Sequence, residues 1–148
     1  MSVKSVPEGF HCITPYLMAN GVASLIDFLK NAFGAVECLR HARPDGTVMH
    51  AQLKINDSFI MMAEPTGPFP AAPASLYLYL DDVDAVYANA IKAGAESVMP
   101  PSNQFYGDRM GGVKDLCGNT WWLATHIEDV SDDDMKARMG LAGKVCES

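Results

Sequence analysis

The chain is one module written twice. Tyr16-Leu17 leads through Asn20-Gly21-Val22 into a run where Val22, Leu25, Ile26, Leu29 and Phe33 recur at helical spacing, and Gly34-Ala35 ends it. Tyr77-Leu78 then leads through Asp81-Asp82-Val83 into a second run marked by Val83, Val86, Tyr87, Ala90 and Ile91, which Gly94-Ala95 ends. The offset is 61 residues at the leading strands and 60 at the Gly-Ala stops. A repeat of this kind decides the architecture, because each unit must bury the same faces in the same way as its copy.

Each copy reads as strand, helix and three short strands. The short strands are expected at about 36–42, 47–55 and 58–64, and again at about 96–99, 110–115 and 120–126. Asp45-Gly46, Gly111-Gly112 and Gly118-Asn119 are read as the turns between them. Residues 1–9 form an N-terminal segment, 10–64 the first module, 65–74 a linker, 75–127 the second module and 128–148 a tail. Four prolines between Pro65 and Pro73 keep the linker out of regular structure. In the tail, Ser131 is placed to cap a helix, with Asp134 as its capping-box partner. The expected fold is α+β: two βαβββ modules forming one domain, with curved mixed sheets around a cavity.

Charge and cysteine usage narrow the partners. The net charge of −7 opposes a phosphate backbone, which calls for clustered Lys and Arg, so no nucleic acid is expected. No apolar run approaches the ~18 residues of a membrane span, and the N-terminus has no apolar signal core. No membrane partner is therefore expected, and the cytoplasm is the expected compartment. None of the four cysteines is spaced as CxxC; Cys12 and Cys117 read as small apolar fillers.

Alternation along the strands gives each sheet two unlike faces. Leu76, Leu78 and Leu80 oppose Ser75, Tyr77 and Tyr79; Leu17 opposes Thr14, Tyr16 and Met18; Met49, Ala51, Leu53 and Ile55 oppose His50, Gln52 and Lys54. The leucines of the second copy are expected on its helix. The polar sets face either a cavity or solvent.

Several strings in this order carry a resemblance. They are Thr14-Pro-Tyr-Leu17, Asp27-Phe28 with Ala32-Phe-Gly-Ala35, Met49-His-Ala51, Leu80-Asp-Asp-Val-Asp-Ala85, Gln104-Phe-Tyr-Gly-Asp-Arg109, Asp115 with Gly118-Asn119, and Ala124-Thr-His-Ile-Glu-Asp-Val130. Over about residues 8–138 the chain resembles the vicinal-oxygen-chelate superfamily of glyoxalases, bleomycin-resistance proteins and dioxygenases, and within it the PhnB-like branch. The resemblance implies four metal-ligand positions. They fall on Thr14 and Ser75 in the first strands and on Met61 (or Met62) and Trp122 in the last. Trp offers only a donor N–H and Met only a soft thioether, so no metal and no other cofactor is expected. Glu64, three residues past Met61, is the remaining candidate for a shifted ligand.

Two functional readings follow, both with a small-molecule partner and a homodimer. In the first, the resemblance to bleomycin-resistance proteins implies a binding protein. Thr14, Tyr16, His50, Gln52, Ser75, Tyr77, Phe105, Tyr106 and Trp122 are its candidate ligand contacts. Tyr79 joins the aromatic set, whose flat rings suit planar or cationic guests. In the second, the chain is an enzyme of lyase, isomerase or dioxygenase type, either metal-independent or with shifted ligands. Its candidate catalytic residues are His126, Asp108 and Arg109. For His126 the alternative is a hydrogen bond to the terminal segment Glu128-Asp129; for Asp108, a pairing with Arg109 that only fixes the loop. Whether the chain is an enzyme stays open at this point.

Overall fold

A computed structural model describes residues 2–146. The elements run β1 (Tyr16–Met18), α1 (Val22–Phe33), β2 (Val36–Ala42), β3 (Val48–Ile55), β4 (Ser58–Ala63), β5 (Ser75–Tyr79), α2 (Val83–Lys92), β6 (Glu96–Asn103), β7 (Asp108–Lys114), β8 (Thr120–His126) and α3 (Asp132–Cys146). They form two four-stranded sheets, ordered β1-β4-β3-β2 and β5-β8-β7-β6. In each, the first strand lies parallel to the fourth and the other pairings are antiparallel. The repeat survives in the register: Tyr16 sits opposite Met61, and Tyr77 opposite Trp122. The α+β fold and the two mixed sheets match the expectation.

The helix of each module starts where a residue of its own sheet receives its free N–H groups. Gly21 and Val22 donate to Glu64 Oε1 at 2.9 and 2.8 Å, so a carboxylate from the end of β4 caps α1. In the second copy Val83 donates to Thr125 Oγ1 at 3.0 Å, and Asp82 accepts from Ala85 at 3.2 Å. Glu64 and Thr125 stand 61 residues apart, so they occupy one repeat position. Gly34, at φ 67°, ends α1 with its N–H on the Lys30 carbonyl.

α1 packs on β3 and on α2, and α2 packs on β6, β7 and β8. The apolar stripe of α1 is buried throughout, with Phe28 and Ala32 added to the spacing read from sequence. In α2 only Val83 and Ala90 are fully buried, and Ile91 stays 37% exposed. One core spans both modules, with the Phe33 and Trp121 rings 5.3 Å apart. Leu76, Leu78 and Leu80 lean on that core and are half-buried. Among the described residues no helix is long and apolar enough to cross a membrane. Ser131 accepts from the Asp134 N–H at 3.2 Å and so caps α3.

Four sequence expectations are corrected. β1 begins only at Tyr16, because Pro15 has no N–H to give the ladder. β6 runs on through Pro100 and Pro101 to Asn103, since it is an edge strand where a missing N–H and two register shifts are tolerated. Gly111-Gly112 is no turn but the middle of β7. A Cβ on Gly112 would stand 2.7 Å from the Trp122 ring, and one on Gly111 would stand 2.9 Å from the Pro101 nitrogen. Cys12 is exposed rather than a filler, because it precedes β1 in an uncovered segment. Cys117 is half-buried; burial, with Asp115 and Glu64 nearby, pushes its thiol up to about 11.

Candidate functional site

The second sheet turns Trp121, Leu123 and Val113 toward the core, which leaves Ser75, Tyr77, Tyr79, Asp108, Trp122 and His126 on its open face. Asp108 and His126 face each other across β7 and β8. The Asp108 side chain is the hub and is almost wholly buried. Its Oδ2 accepts from the Tyr77 and Tyr79 hydroxyls at 2.7 and 2.9 Å, and its Oδ1 meets His126 Nδ1 at 2.8 Å. The other ring nitrogen of His126 lies 2.7 Å from Asp129 Oδ1. Both nitrogens face carboxylate oxygens, a setting that favours the doubly protonated ring. The Asp108 and Asp129 hydrogen bonds accordingly raise the His126 pKa. Burial pushes the Asp108 carboxyl up, but the bonds from His126, Tyr77 and Tyr79 outweigh it and hold the group below the usual carboxylate range. Burial, with the Tyr106 and Asp108 bonds, pushes the Tyr77 phenol far up. Trp122 Nε1 donates to Ser75 Oγ at 2.9 Å.

Two further groups steady this face. Tyr106 reaches Tyr77 at 3.5 Å between hydroxyls, and Phe105 meets the Tyr106 ring edge-on. The loop carrying them is held from outside: the Gly107 carbonyl accepts from Ile127 and Glu128, and Arg138 donates to the Phe105 carbonyl at 2.9 Å. Gly107 stands at φ 99°, where a Cβ would fall 2.1 Å from the Glu128 carbonyl oxygen. Arg109, adjacent to Asp108 in β7, points to the opposite face. There it grips Asp84 of α2 at 2.8 and 2.9 Å and Asn103 at 3.0 Å. Asp108 and His126 thus come together and Arg109 does not.

The first sheet carries a smaller network. Tyr16 Oη lies 3.1 Å from His50 Nδ1, and Gln52 presents its amide to His50 Nε2 at 3.1 Å. Phe59 shares this face; Phe10 stacks on it at 4.2 Å and Lys54 stands over it at 5.3 Å. Residues 5–12 therefore lie across the first sheet beside Gln52 and Met61, around a small cavity of about 380 Å³. Sequence reasoning missed this cover, although Phe59 and Met61 share a strand parity. A larger groove, about 840 Å³, runs between the free edges of β1 and β5, with Thr14, Tyr16, Ser75 and Tyr77 in its walls.

This arrangement, duplicated mixed sheets with helices on one face and an aromatic open face, has relatives. A sequence model of the Glyoxalase/Bleomycin resistance protein/Dioxygenase superfamily matches residues 10–123. The chain belongs to this superfamily. An uncharacterized protein of Mycobacterium tuberculosis (strain H37Rv) is 35% identical over 143 residues, covering 88% of this chain and 84% of its own. Among solved structures, TioX from Micromonospora sp. ML1 superposes with a TM-score of 0.69 at 25% identity, over 78% of this chain and 98% of that one. The PhnB protein from Bacillus cereus shares the fold with a TM-score of 0.62 at 23% identity, over 78% and 99%.

Metalloenzymes exist in the superfamily, but the residues here do not fit a divalent cation. Two of the four positions that the resemblance marks for ligands, Ser75 and Trp122, are bonded to each other through a donor N–H. Met61 adds a thioether and Thr14 a neutral hydroxyl, a poor set for a hard or borderline cation. Glu64, the shifted candidate, uses its carboxylate to cap α1. Among the described residues, no three His, Cys, Asp or Glu side chains converge on a common point.

Proposed function

We propose that this superfamily member binds a small organic molecule against the aromatic open faces of its sheets, without the usual metal, as a cytoplasmic homodimer. The bond from Trp122 to Ser75 carries the reading, because it ties two positions that the resemblance marks for metal ligands into an aromatic wall. Tyr16, Tyr77 and Tyr79 expose 49%, 41% and 61% of their surface, enough ring to stack on a flat guest. Thr14, His50, Gln52, Phe105 and Tyr106 border the same faces. The groove between the β1 and β5 edges supports a second copy there, since unpaired strand edges beside half-buried leucines are surfaces that proteins cover. Exposed Cys12 and Cys38 suit a reducing compartment.

A second reading has one observation in its favour. His126 is half-exposed and backed by two carboxylates that favour its protonated form, the arrangement of a general acid. A metal-independent lyase or isomerase would use it to protonate a developing oxyanion. Against this, Asp108 spends its oxygens on Tyr77, Tyr79 and His126, which leaves that carboxylate no free oxygen to act as a base.

The test is metal content of the purified protein before and after incubation with Zn²⁺, Ni²⁺, Mn²⁺ and Fe²⁺, followed by a screen of planar organic compounds. Binding of compounds with the metal content negligible supports the reading. Stoichiometric metal that Glu64→Gln removes would overturn it.

A further inference from the structure

The open face of the second sheet is one-sided in its hydrogen bonding. A carboxylate only accepts, so both phenol protons that reach Asp108 point inward. Tyr106 must then donate to Tyr77, whose own proton is spent. Trp122 gives its N–H to Ser75, and His126 turns both of its ring nitrogens to carboxylates. What the face offers a guest is oxygen lone pairs, those of Tyr79 above all, on phenols made better acceptors by donating to a charge. The Ser75 hydroxyl proton is the one side-chain donor of this set without a protein acceptor among the described residues.

The charges point the same way. Asp108 and Asp129 outnumber His126 between them, Arg109 spends its charge on Asp84 across the sheet, and Arg138 spends its own on Glu128. Lys114 shares the parity of Asp108 but stands six residues along β7, roughly 20 Å away. The Tyr77 and Tyr79 rings lie 5.3 Å apart at 58° and offer their faces as well as their oxygens.

We infer that this face selects planar cations that carry N–H donors, such as amino-substituted acridinium rings and aromatic amidines, and discriminates against aromatic carboxylates. The inference rests on the small-molecule reading above and adds the guest's chemical class. The N–H groups would meet Tyr79 Oη and Tyr77 Oη while the ring stacks on tyrosine, with cation–π attraction adding to it.

Three dyes of similar shape test it by fluorescence titration of the full chain: proflavine, a cation with exocyclic N–H groups; acridine orange, the same cation with those groups methylated; and 9-anthroate, an anion. Proflavine is expected to bind at least tenfold tighter than 9-anthroate and severalfold tighter than acridine orange. Tyr79→Phe, checked for an unchanged fold by circular dichroism, should abolish most of the margin over acridine orange and leave 9-anthroate unmoved. If none of the three dyes binds, the small-molecule reading falls and this inference with it. If 9-anthroate binds as well as proflavine, the reading stands and the inference fails. A margin over acridine orange unchanged in both Tyr79→Phe and Tyr77→Phe would mean that neither phenol oxygen reads the N–H groups and also overturn it.

Discussion

At the scale of single residues, two buried carboxylates do different work. Asp115 accepts from Cys117 N, Asn119 N and the Trp121 indole, the last at 2.7 Å, and so ties the β7–β8 turn to the core. Asn119 passes the tie on by accepting from Ala74 at 2.9 Å, where β5 begins. Asp108 instead organises groups that face outward, and its network makes stability depend on pH. His126 has a raised pKa, so its contribution is complete below the ordinary histidine value of 6.5 and is lost as pH rises through the raised one. Asp108 has a lowered pKa, so its contribution is present above the ordinary 3.8 and is lost as pH falls through the lowered one. The unfolding temperature should therefore decline as pH rises past 6.5, and Asp129→Asn should move that decline to lower pH. Nuclear magnetic resonance titration of His126 beside melting curves checks both, and a His126 titrating at 6.5 would contradict the account. The sequence already put His126 near Asp129 and offered Asp108 as a candidate. It did not pair them, because residues 18 apart in the chain become neighbours only through the β7–β8 register.

At the scale of elements, the repeat shows which features a module needs and which it can vary. Both copies cap their helix from the end of the fourth strand, one with Glu64 and the other with Thr125. A carboxylate at a helix N-terminus interacts with the dipole as well as the N–H groups. Glu64→Ala should cost about 1 kcal/mol, the usual loss for an N-cap, and Glu64→Gln less; chemical denaturation measures both. A larger loss on adding Zn²⁺ chelators to the wild type would instead mark Glu64 as a ligand. The varied positions are as telling. Val48 is the repeat mate of Asp108, and His50 that of Met110, so only the second copy builds the carboxylate hub. Strand and helix positions were legible because spacing alone specifies them. The reach of β6 through two prolines was not, because edge location belongs to the sheet rather than the strand.

At the scale of the whole molecule, one core joins the modules through their helices while both open faces look away from it. That leaves the β1 and β5 edges flanking a groove, with Ile13 at its rim 83% exposed. A stable dimer would cover on the order of 1,600 Å² in total. Sedimentation at twice the chain's 16.0 kDa is expected at micromolar concentration, with Ile13→Asp shifting it toward single chains. Single chains of the wild type at every concentration would refute the homodimer.

The sequence by itself determined the duplication, the order of elements, the stripes that fill the core and the aromatic character of one strand face. Each follows from residue type and local period, which a linear chain displays. Tertiary structure alone decided which polar groups meet. It turned Arg109 toward α2, spent Glu64 on a helix end and closed Asp108 among Tyr77, Tyr79 and His126. The reason is that a side chain's partner is set by register and helix placement across tens of residues, and no local pattern records those.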